Sequence, residues 1–274
     1  EYVAVFIGAL RAGITVAPLA PSSTTAQLMD MVRDSRARLL FVDTTTALVL
    51  DEAGAALPPG VARIHLDAVD GQTPLAPWLL GPLAVPEPVS IDRAWPFNVI
   101  YSSGTTGTPK GIVQSHAMRW ELIRHAPLAA FGASSVTMVA TPLYSNTTLT
   151  ALLPTLAYGG CLVLMAKFDA LSYLQLAQQE RATHTMLVPV QYQRLMASED
   201  FGRFDLSSFQ VKFCTSAPFR AELKADVLAR WPGALVEFYG MSEGGGTCIL
   251  DAHIFPNKLH TVGRPGAGHD IRLI

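Results

Sequence analysis

The stretch YSSGTTGTPKG, residues 101–111, follows the apolar run FNVI at residues 97–100. It holds three glycines, three threonines, two serines and one lysine, Lys110. Glycines let backbone N–H groups turn toward an anion, hydroxyl groups add donors, and the ammonium adds a point charge. A strand followed by such a loop predicts a phosphate-binding site. The spacing differs from a Walker A loop, which needs four residues between a glycine and Gly-Lys-Ser/Thr.

The composition is that of a globular protein with heavily buried elements. Of 274 residues, 50% are hydrophobic and 15% charged, and the mean hydropathy is +0.29. Twenty basic side chains oppose twenty-two acidic ones, without a basic stripe. We therefore expect no nucleic-acid partner and no binding to membranes through a polybasic patch.

Two further features bear on compartment. The apolar stretch at residues 149–166 is interrupted by Pro154 and by two glycines at 159–160, which predicts helix, turn and strand rather than a transmembrane segment. The three cysteines are an odd number and lack the spacing of metal ligands. A reducing, cytoplasmic location is the simpler expectation.

Short apolar runs alternate with amphipathic segments along the chain. This alternation predicts an α/β fold with mostly parallel sheets flanked by helices. Residues 73–88 hold five prolines and are predicted to connect two subdomains. Predicted strands lie at residues 16–19, 39–42, 63–66, 97–101, 136–140, 161–165, 185–188, 211–215 and 235–239, and predicted helices at 25–35, 115–125, 170–181 and 220–231.

The loop at 101–111 resembles the phosphate-loop signature of the adenylate-forming superfamily. That superfamily includes AMP-forming acyl-CoA synthetases and fatty-acid–CoA ligases, firefly-type luciferases and the adenylation domains of peptide synthetases. Other stretches resemble its further signatures in the same order, so the resemblance covers nearly the whole chain. They are residues 6–13 with 16–21, 141–144, 238–243 and 262–265.

The resemblance implies the N-terminal domain of such an enzyme, with two stacked α/β subdomains. The first would span about residues 1–135, with the connector at 73–88 and the phosphate loop at 101–111, and the second about 136–250. Residues 251–274 would begin a further β segment, and 270–274 are predicted to belong to a strand. We expect a truncated core without the small C-terminal lid domain, inactive by itself.

The implied reaction is attack of a carboxylate on the α-phosphate of ATP, which gives an acyl-adenylate and pyrophosphate, followed by displacement of AMP by the thiol of coenzyme A. The cofactors would be ATP, Mg²⁺ and coenzyme A, the partner a small carboxylic acid, and a homodimer is possible. By resemblance Lys110, Ser242 and Glu243 are catalytic, and Glu243 also ligates Mg²⁺. The nucleotide would be held by Ser102, Ser103, Gly104, Thr105, Thr106, Gly107, Thr108, Ser216, Ala217, Pro218, Phe238, Tyr239, Gly240 and Met241, with Gly104, Gly107 and Gly111 as hinges of the phosphate loop.

The predicted acyl pocket contains small, apolar or uncharged polar residues, which suits an uncharged acyl group. Neither His nor Asp occurs between residues 141 and 150. A free amino acid is therefore a disfavoured substrate, because its ammonium would lack a counter-charge. Aromatic, alicyclic and aliphatic acids stay open. The pocket residues are Tyr144, Asn146, Val188, Gln191, Gly244 and Gly245.

Other functions remain open. An acyl-AMP ligase that loads a carrier protein, or a luciferase-like oxygenase, would use the same first step. A catalytically silent relative would bind nucleotide or acyl groups only. A Rossmann-like binding domain would need Gly-x-Gly-x-x-Gly after its first strand, a pattern missing from this sequence. His184, just before a predicted strand, is expected to be structural.

Overall fold

The computed structural model describes residues 1–67, 75, 87–102, 109–244 and 246–272. These residues form two compact units, Glu1–Arg119 and Trp120–Ile274. Helices in the described residues are α1 (Tyr2–Arg11), α2 (Thr25–Asp34), α3 (Thr44–Glu52), α4 (His116–Arg124), α5 (Asn146–Ala157), α6 (Ala170–Gln179), α7 (Pro189–Met196) and α8 (Ala221–Arg230). Strands are β1 (Leu39–Val42), β2 (Ala62–His65), β3 (Pro96–Ser102), β4 (Lys110–Ser115), β5 (Val136–Val139), β6 (Cys161–Leu164), β7 (His184–Leu187), β8 (Val211–Cys214), β9 (Ala234–Gly240), β10 (Thr247–Asp251) and β11 (Arg264–Pro265).

The first unit contains two pairs of strands. β1 and β2 are parallel, and β3 and β4 are antiparallel. Helix α2 begins with a capping box, in which the Thr24 hydroxyl accepts from the Gln27 N–H and the Gln27 side chain accepts from the Thr24 N–H. Its apolar face buries Leu28 and Val32 against the β1–α3 region. Burial of that face, rather than intrinsic propensity, provides most of the stability of a ten-residue helix.

The second unit is built on a seven-stranded sheet in the order β11-β10-β9-β8-β7-β5-β6. Strands β6, β5, β7, β8 and β9 run parallel, while β10 and β11 are antiparallel to their neighbours. All four residues of β7 and all four of β8 are buried. Continuous burial is expected of a parallel strand covered on both faces. The predicted α/β fold with a mostly parallel sheet is confirmed.

An aromatic cluster fills one side of this sheet. Trp231 is 1% exposed and meets Phe209 edge to face, with 5.1 Å between ring centroids at 89°. Beside it, the buried Lys212 ammonium donates to three consecutive carbonyls, of Trp231 (3.2 Å), Pro232 (2.6 Å) and Gly233 (2.8 Å). Gly233 has φ +88°, and a Cβ there would lie 2.4 Å from the Phe209 carbonyl oxygen, so only glycine fits this turn.

Most predicted elements are confirmed, and several differ. Residues 16–19 form only an isolated bridge, between Val16 and Asn98, and residues 270–272 are not in a strand. Helices α3 and α7 and strands β4 and β10 were missing from the sequence prediction. Helix α3 and strands β4 and β10 have short apolar runs without a helical or alternating period. Helix α7 has the helical period but is only eight residues long.

The residues from 149 to 166 form the end of α5, a turn and β6, as predicted. Among the described residues, no helix is long and apolar enough to cross a membrane. All three cysteines are free, with Cys161 exposed and the other two buried. The predicted connector at 73–88 lies outside the described residues except for Leu75, Glu87 and Pro88.

Candidate active site

The parallel strands of the second unit end at a common edge, which we call the carboxyl edge. It comprises residues 140–147 after β5, 188–191 after β7, 215–218 after β8 and 241–244 after β9. The strand order reverses at β5, since β6 lies on one side of it and β7 on the other. In open parallel sheets, ligands bind outside the carboxyl ends of the strands near such a reversal. Most of the predicted site residues of this unit lie here.

Hydroxyl groups join the segments of the carboxyl edge. Ser216, which follows β8, has the left-handed backbone angle φ +80°. Its hydroxyl lies 2.6 Å from the hydroxyl of Thr147 in the first turn of α5. The hydroxyls of Thr141 and Thr148 are 2.7 Å apart. Asn146, predicted to face the acyl group, begins the same helix, which is capped by the Ser145 hydroxyl.

The side chain of Gln191 forms hydrogen bonds to backbone at the junction of β7 and α7. Its side-chain nitrogen donates to the Ala140 carbonyl at 2.8 Å, and its side-chain oxygen accepts from the Val188 N–H at 3.0 Å. The residue is 7% exposed. Both ends of its amide contact backbone, so Gln191 braces this junction, and Val188 is half-buried beside it. The pocket role that the sequence indicated for Gln191 stays a prediction.

The end of β9 and the residues that follow it carry aromatic and polar side chains, several of which are exposed. Phe238 is half-buried and stacks on Phe213, with 5.8 Å between ring centroids. Tyr239 is 62% exposed and Met241 is 70% exposed. Gly240 pairs with Thr247 of β10, so residues 241–246 connect two antiparallel strands. Within that connection Ser242 and Gly244 are half-buried and Glu243 is exposed.

A buried ion pair between α8 and β9 lies next to this segment. The carboxylate of Glu237, two residues before Tyr239, pairs with the Lys224 ammonium of α8, and both side chains are at most 4% exposed. Lys224 also donates to the carbonyls of Leu259 (2.8 Å) and Thr261 (2.9 Å). Burial raises the pKa of Glu237, whereas the hydrogen bond and charge of Lys224 lower it. The sequence analysis missed this pair, although a Glu inside an apolar strand run was its visible signal.

The first unit carries Ser102 and Lys110, which face each other across β3 and β4. Lys110 is exposed. The predicted loop at 101–111 is therefore shorter than expected, since Tyr101, Ser102, Lys110 and Gly111 are strand residues. Ser103, Gly104, Thr105, Thr106, Gly107 and Thr108 lie outside the described residues, and so does Gly245 of the acyl pocket.

Close packing at the base of the phosphate loop explains why residue 111 is a glycine. The Tyr101 hydroxyl lies 2.7 Å from Asp34 Oδ2 and 3.1 Å from the Met31 carbonyl of α2. A Cβ on Gly111 would lie 3.0 Å from Asp34 Oδ2, 3.1 Å from Val99 Cγ1 and 3.2 Å from Tyr101 Cε1. Burial and the neighbouring Asp34 raise the pKa of Tyr101, which keeps its phenol protonated. Gly111 thus permits close packing within β4, where the sequence predicted a hinge.

His184 is structural, as expected. It is fully buried and stacks on Phe131 with 4.4 Å between ring centroids. Its Nε2 lies 2.9 Å from the Ala129 carbonyl and its Nδ1 lies 2.7 Å from the Thr183 hydroxyl. Both ring nitrogens are therefore engaged, and burial lowers the pKa of the imidazole.

One cavity among the described residues lies away from these groups. It has a volume of about 380 Å³ and is lined by Phe201, Phe204, Leu206 and Pro232 among others. These residues precede β8 or β9, at the opposite edge of the sheet. None of the predicted site residues lines it, so the carboxyl edge remains the candidate site.

An α/β unit with polar groups gathered at the carboxyl edge of a parallel sheet is the architecture of nucleotide-dependent enzymes. Comparison with known families identifies the class more closely. The family model described as "AMP-binding enzyme" matches residues 1–274. The chain belongs to this family, which confirms the resemblance drawn from its motifs.

The relatives are coenzyme A ligases. The chain is 31% identical over 270 residues to feruloyl-CoA synthase of Amycolatopsis sp, covering 96% of this chain and 51% of that protein. It is 28% identical over 291 residues to indoleacetate–CoA ligase of Aromatoleum aromaticum, covering 100% and 54%. The chain thus spans about half the length of the curated relatives it matches.

A solved structure shares the fold. The inhibitor-bound N-terminal domain of FACL13 from Mycobacterium tuberculosis matches with a TM-score of 0.81 at 22% identity, covering 96% of this chain and 66% of that one. The fold of an acyl-CoA synthetase N-terminal domain is thereby established for this chain.

Proposed function

We propose that this chain is the adenylating core of an AMP-forming acid–thiol ligase. It would activate a carboxylic acid with ATP to an acyl-adenylate and pass the acyl group to coenzyme A. The observation that carries the proposal is that Ser216–Pro218 and Met241–Glu243 follow the neighbouring parallel strands β8 and β9 at one carboxyl edge, in a chain of the AMP-binding enzyme family. Relatives named as coenzyme A ligases support the choice of acceptor.

The nucleotide would be held by exposed groups of the carboxyl edge. The uncovered ring of Tyr239 offers a face for adenine, and the backbone of residues 216–218 can pair with the edge of the base. The Ser242 hydroxyl is suited to the α-phosphate. Lys110 lies in the first unit and not on this edge, and its assignment to the β- and γ-phosphates rests on the phosphate-loop motif alone. Because carboxylate and triphosphate repel each other, neutralising charge and fixing an in-line geometry are the main catalytic tasks.

The metal ligand in this proposal is Glu243. Mg²⁺ prefers oxygen ligands, keeps several waters, and is often bound through one or two carboxylates plus phosphate oxygens. The described residues contain no group of three or more His, Cys, Asp and Glu suited to a metal ion. The exposed single carboxylate of Glu243 fits such a shared site. When bound, the ion would neutralise phosphate charge.

We propose an aryl-substituted acid as the substrate. The relatives are named for ferulate and indoleacetate, both of which carry an aromatic ring. On this chain the predicted pocket residues Tyr144, Asn146 and Val188 are uncharged and half-buried. An uncharged pocket favours an aryl or alkyl group and disfavours an amino acid, whose ammonium would be desolvated without a partner. A fatty acid is the second candidate.

Thioester formation from a panel of acids tests this proposal. Full-length protein would be incubated with ATP, Mg²⁺, coenzyme A and ferulate, indoleacetate, decanoate or phenylalanine, and the products identified by mass. We expect thioesters of one or both aryl acids and none of phenylalanine. Acyl-adenylate without thioester would indicate a carrier-protein acceptor instead. A thioester of decanoate alone would refute the aryl assignment.

A further inference from the structure

The backbone of Ser216 is unusual for its position. Four described residues other than glycine have a positive φ: Arg36, Ala130, Arg181 and Ser216. The first three directly follow or end a helical segment, where a left-handed residue is ordinary. Ser216 instead follows strand β8, at φ +80°. A non-glycine residue held in this region signals strain that the surroundings maintain, and such residues cluster at functional sites.

The Ser216 hydroxyl is hydrogen-bonded to the hydroxyl of Thr147. The two hydroxyls are 2.6 Å apart, although the residues are 69 positions apart in the chain. Ser216 is exposed, whereas Thr147 is 8% exposed in the first turn of α5. The Thr147 N–H donates to the Ser145 hydroxyl at 3.2 Å, and the β-branched side chain of Thr has few χ1 rotamers on a helix. Thr147 is therefore anchored in the first turn of α5, whereas Ser216 lies in the connection between β8 and α8.

We propose that Thr147 is a positioning residue for nucleotide binding. Its hydroxyl holds Ser216 in the left-handed conformation and so aims the backbone of residues 216–218 at the base. The role rests on the proposed function, because it assumes that this loop meets the nucleotide. Thr147 also adjoins Asn146, so the same bond ties the start of the acyl-pocket helix to the nucleotide loop.

A role of Thr147 in holding φ at residue 216 differs from a simple packing role in how a glycine at position 216 should act. Glycine adopts positive φ without the steric cost of other residues. If Thr147 acts by holding φ at residue 216, Ser216→Gly should compensate for loss of the Thr147 hydroxyl. If Thr147 acts by packing or through a contact of its own with ligand, Ser216→Gly should compensate for nothing.

The test compares five variants with the wild-type protein in two measurements. The variants are Thr147→Val, Thr147→Ser, Thr147→Val with Ser216→Gly, Thr147→Val with Ser216→Ala, and Thr150→Val as a matched control on the same helix. The Thr150 hydroxyl bonds the Thr147 carbonyl and not Ser216. The measurements are the Kd for a fluorescent ATP analogue and the urea midpoint of unfolding.

We expect Thr147→Val to weaken nucleotide binding by about tenfold, the effect of losing one net hydrogen bond. Thr147→Ser and Thr150→Val should stay near wild type. Adding Ser216→Gly to Thr147→Val should restore most of the affinity, whereas adding Ser216→Ala should not. Equal affinity of the glycine and alanine double variants would overturn the proposal.

The urea midpoint distinguishes failure of this proposal from failure of the proposed function. Thr147→Val should lower the midpoint, and adding Ser216→Gly should raise it again. If wild-type protein bound no nucleotide, the proposed function would fail, and a rise of the midpoint with glycine would still support Thr147 as the residue that holds the loop. No rise of the midpoint with glycine would refute the positioning role itself.

Discussion

The buried pair of Lys224 and Glu237 gives the sharpest prediction about stability. Its side chains are 1% and 4% exposed, and the ammonium also bonds two carbonyls. Lys224→Met removes the charge partner and leaves a buried carboxylate unpaired. We expect a loss of about 3–5 kcal/mol in the free energy of unfolding at pH 7.5. Glu237→Gln should cost less, about 1–3 kcal/mol, because an amide oxygen still accepts from the ammonium.

Protonation should reduce the cost of Lys224→Met. Burial raises the pKa of Glu237, and removing Lys224 removes the group that lowers it. Above the model-peptide value of about 4.3, the folded variant then holds a proton that the unfolded chain releases. Lowering the pH toward that value therefore stabilises the folded variant relative to the unfolded chain. The penalty measured at pH 5.5 should be smaller than the penalty at pH 7.5.

Urea unfolding at both pH values measures these losses, followed by circular dichroism and by tryptophan fluorescence, to which the buried Trp231 contributes. Arg203→Met is the control, because the pair of Arg203 with Asp200 (2.6 Å) is exposed at Arg203 by 75% and should contribute at most about 1 kcal/mol. Replacing both Lys224 and Glu237 by Met should cost less than Lys224→Met alone. A loss below about 1 kcal/mol for Lys224→Met at pH 7.5, or a penalty that grows on acidification, would refute the reasoning.

Two other predictions concern the remaining buried positions. Gly111→Ala should destabilise the protein by about 1–3 kcal/mol, because the added Cβ meets three atoms at 3.0–3.2 Å. Gly8→Ala, at an exposed position of α1, meets nothing within 4 Å and should stabilise by up to about 1 kcal/mol. Thermal unfolding compares the two variants, and equal effects would contradict the packing argument. Burial lowers the pKa of Lys212 to about 7, so the folded chain releases a proton above pH 7 that the unfolded chain keeps to about pH 10.4. The free energy of unfolding should therefore rise with pH between these values, by at most about 1.4 kcal/mol per pH unit. Urea titrations at several pH values measure this slope, and Lys212→Met should remove the contribution of Lys212 to it. An unchanged slope of stability against pH in that variant would show that the ammonium does not titrate there.

The central sheet could be predicted because its chemistry is local. Strands such as β7 and β8 are continuous apolar runs between helical segments, and that pattern alone indicates a parallel sheet covered on both faces. Helix α3 was not predicted, because its run ALVL at 47–50 resembles a strand and Asp43 was not identified as its N-cap. Strand β4 escaped because its apolar part is only two residues long, directly after a Pro-Lys-Gly sequence.

The sequence predicted the separate motifs of the candidate site but not the contacts between residues that are distant in the chain. The motif at 238–243 assigned Tyr239 to the nucleotide by resemblance, and Tyr239 is 62% exposed in β9. Its contact with the nucleotide stays a prediction. The bond between Thr147 and Ser216 depends on the strand order of the sheet and on one positive φ, and neither can be read from chain order. The pairing of Lys224 with Glu237 likewise depends on how α8 packs on β9.

The most direct test of the account is exchange of labelled pyrophosphate into ATP. Full-length protein and the 274-residue chain would be assayed with Mg²⁺ and each aryl acid, beside Lys110→Met and Glu243→Gln, two exposed positions whose replacement should leave folding intact. We predict acid-dependent exchange by the full-length protein and its loss, by at least about a hundredfold, in both variants. Exchange unaffected by either substitution, or none with any acid, would contradict adenylation at this site.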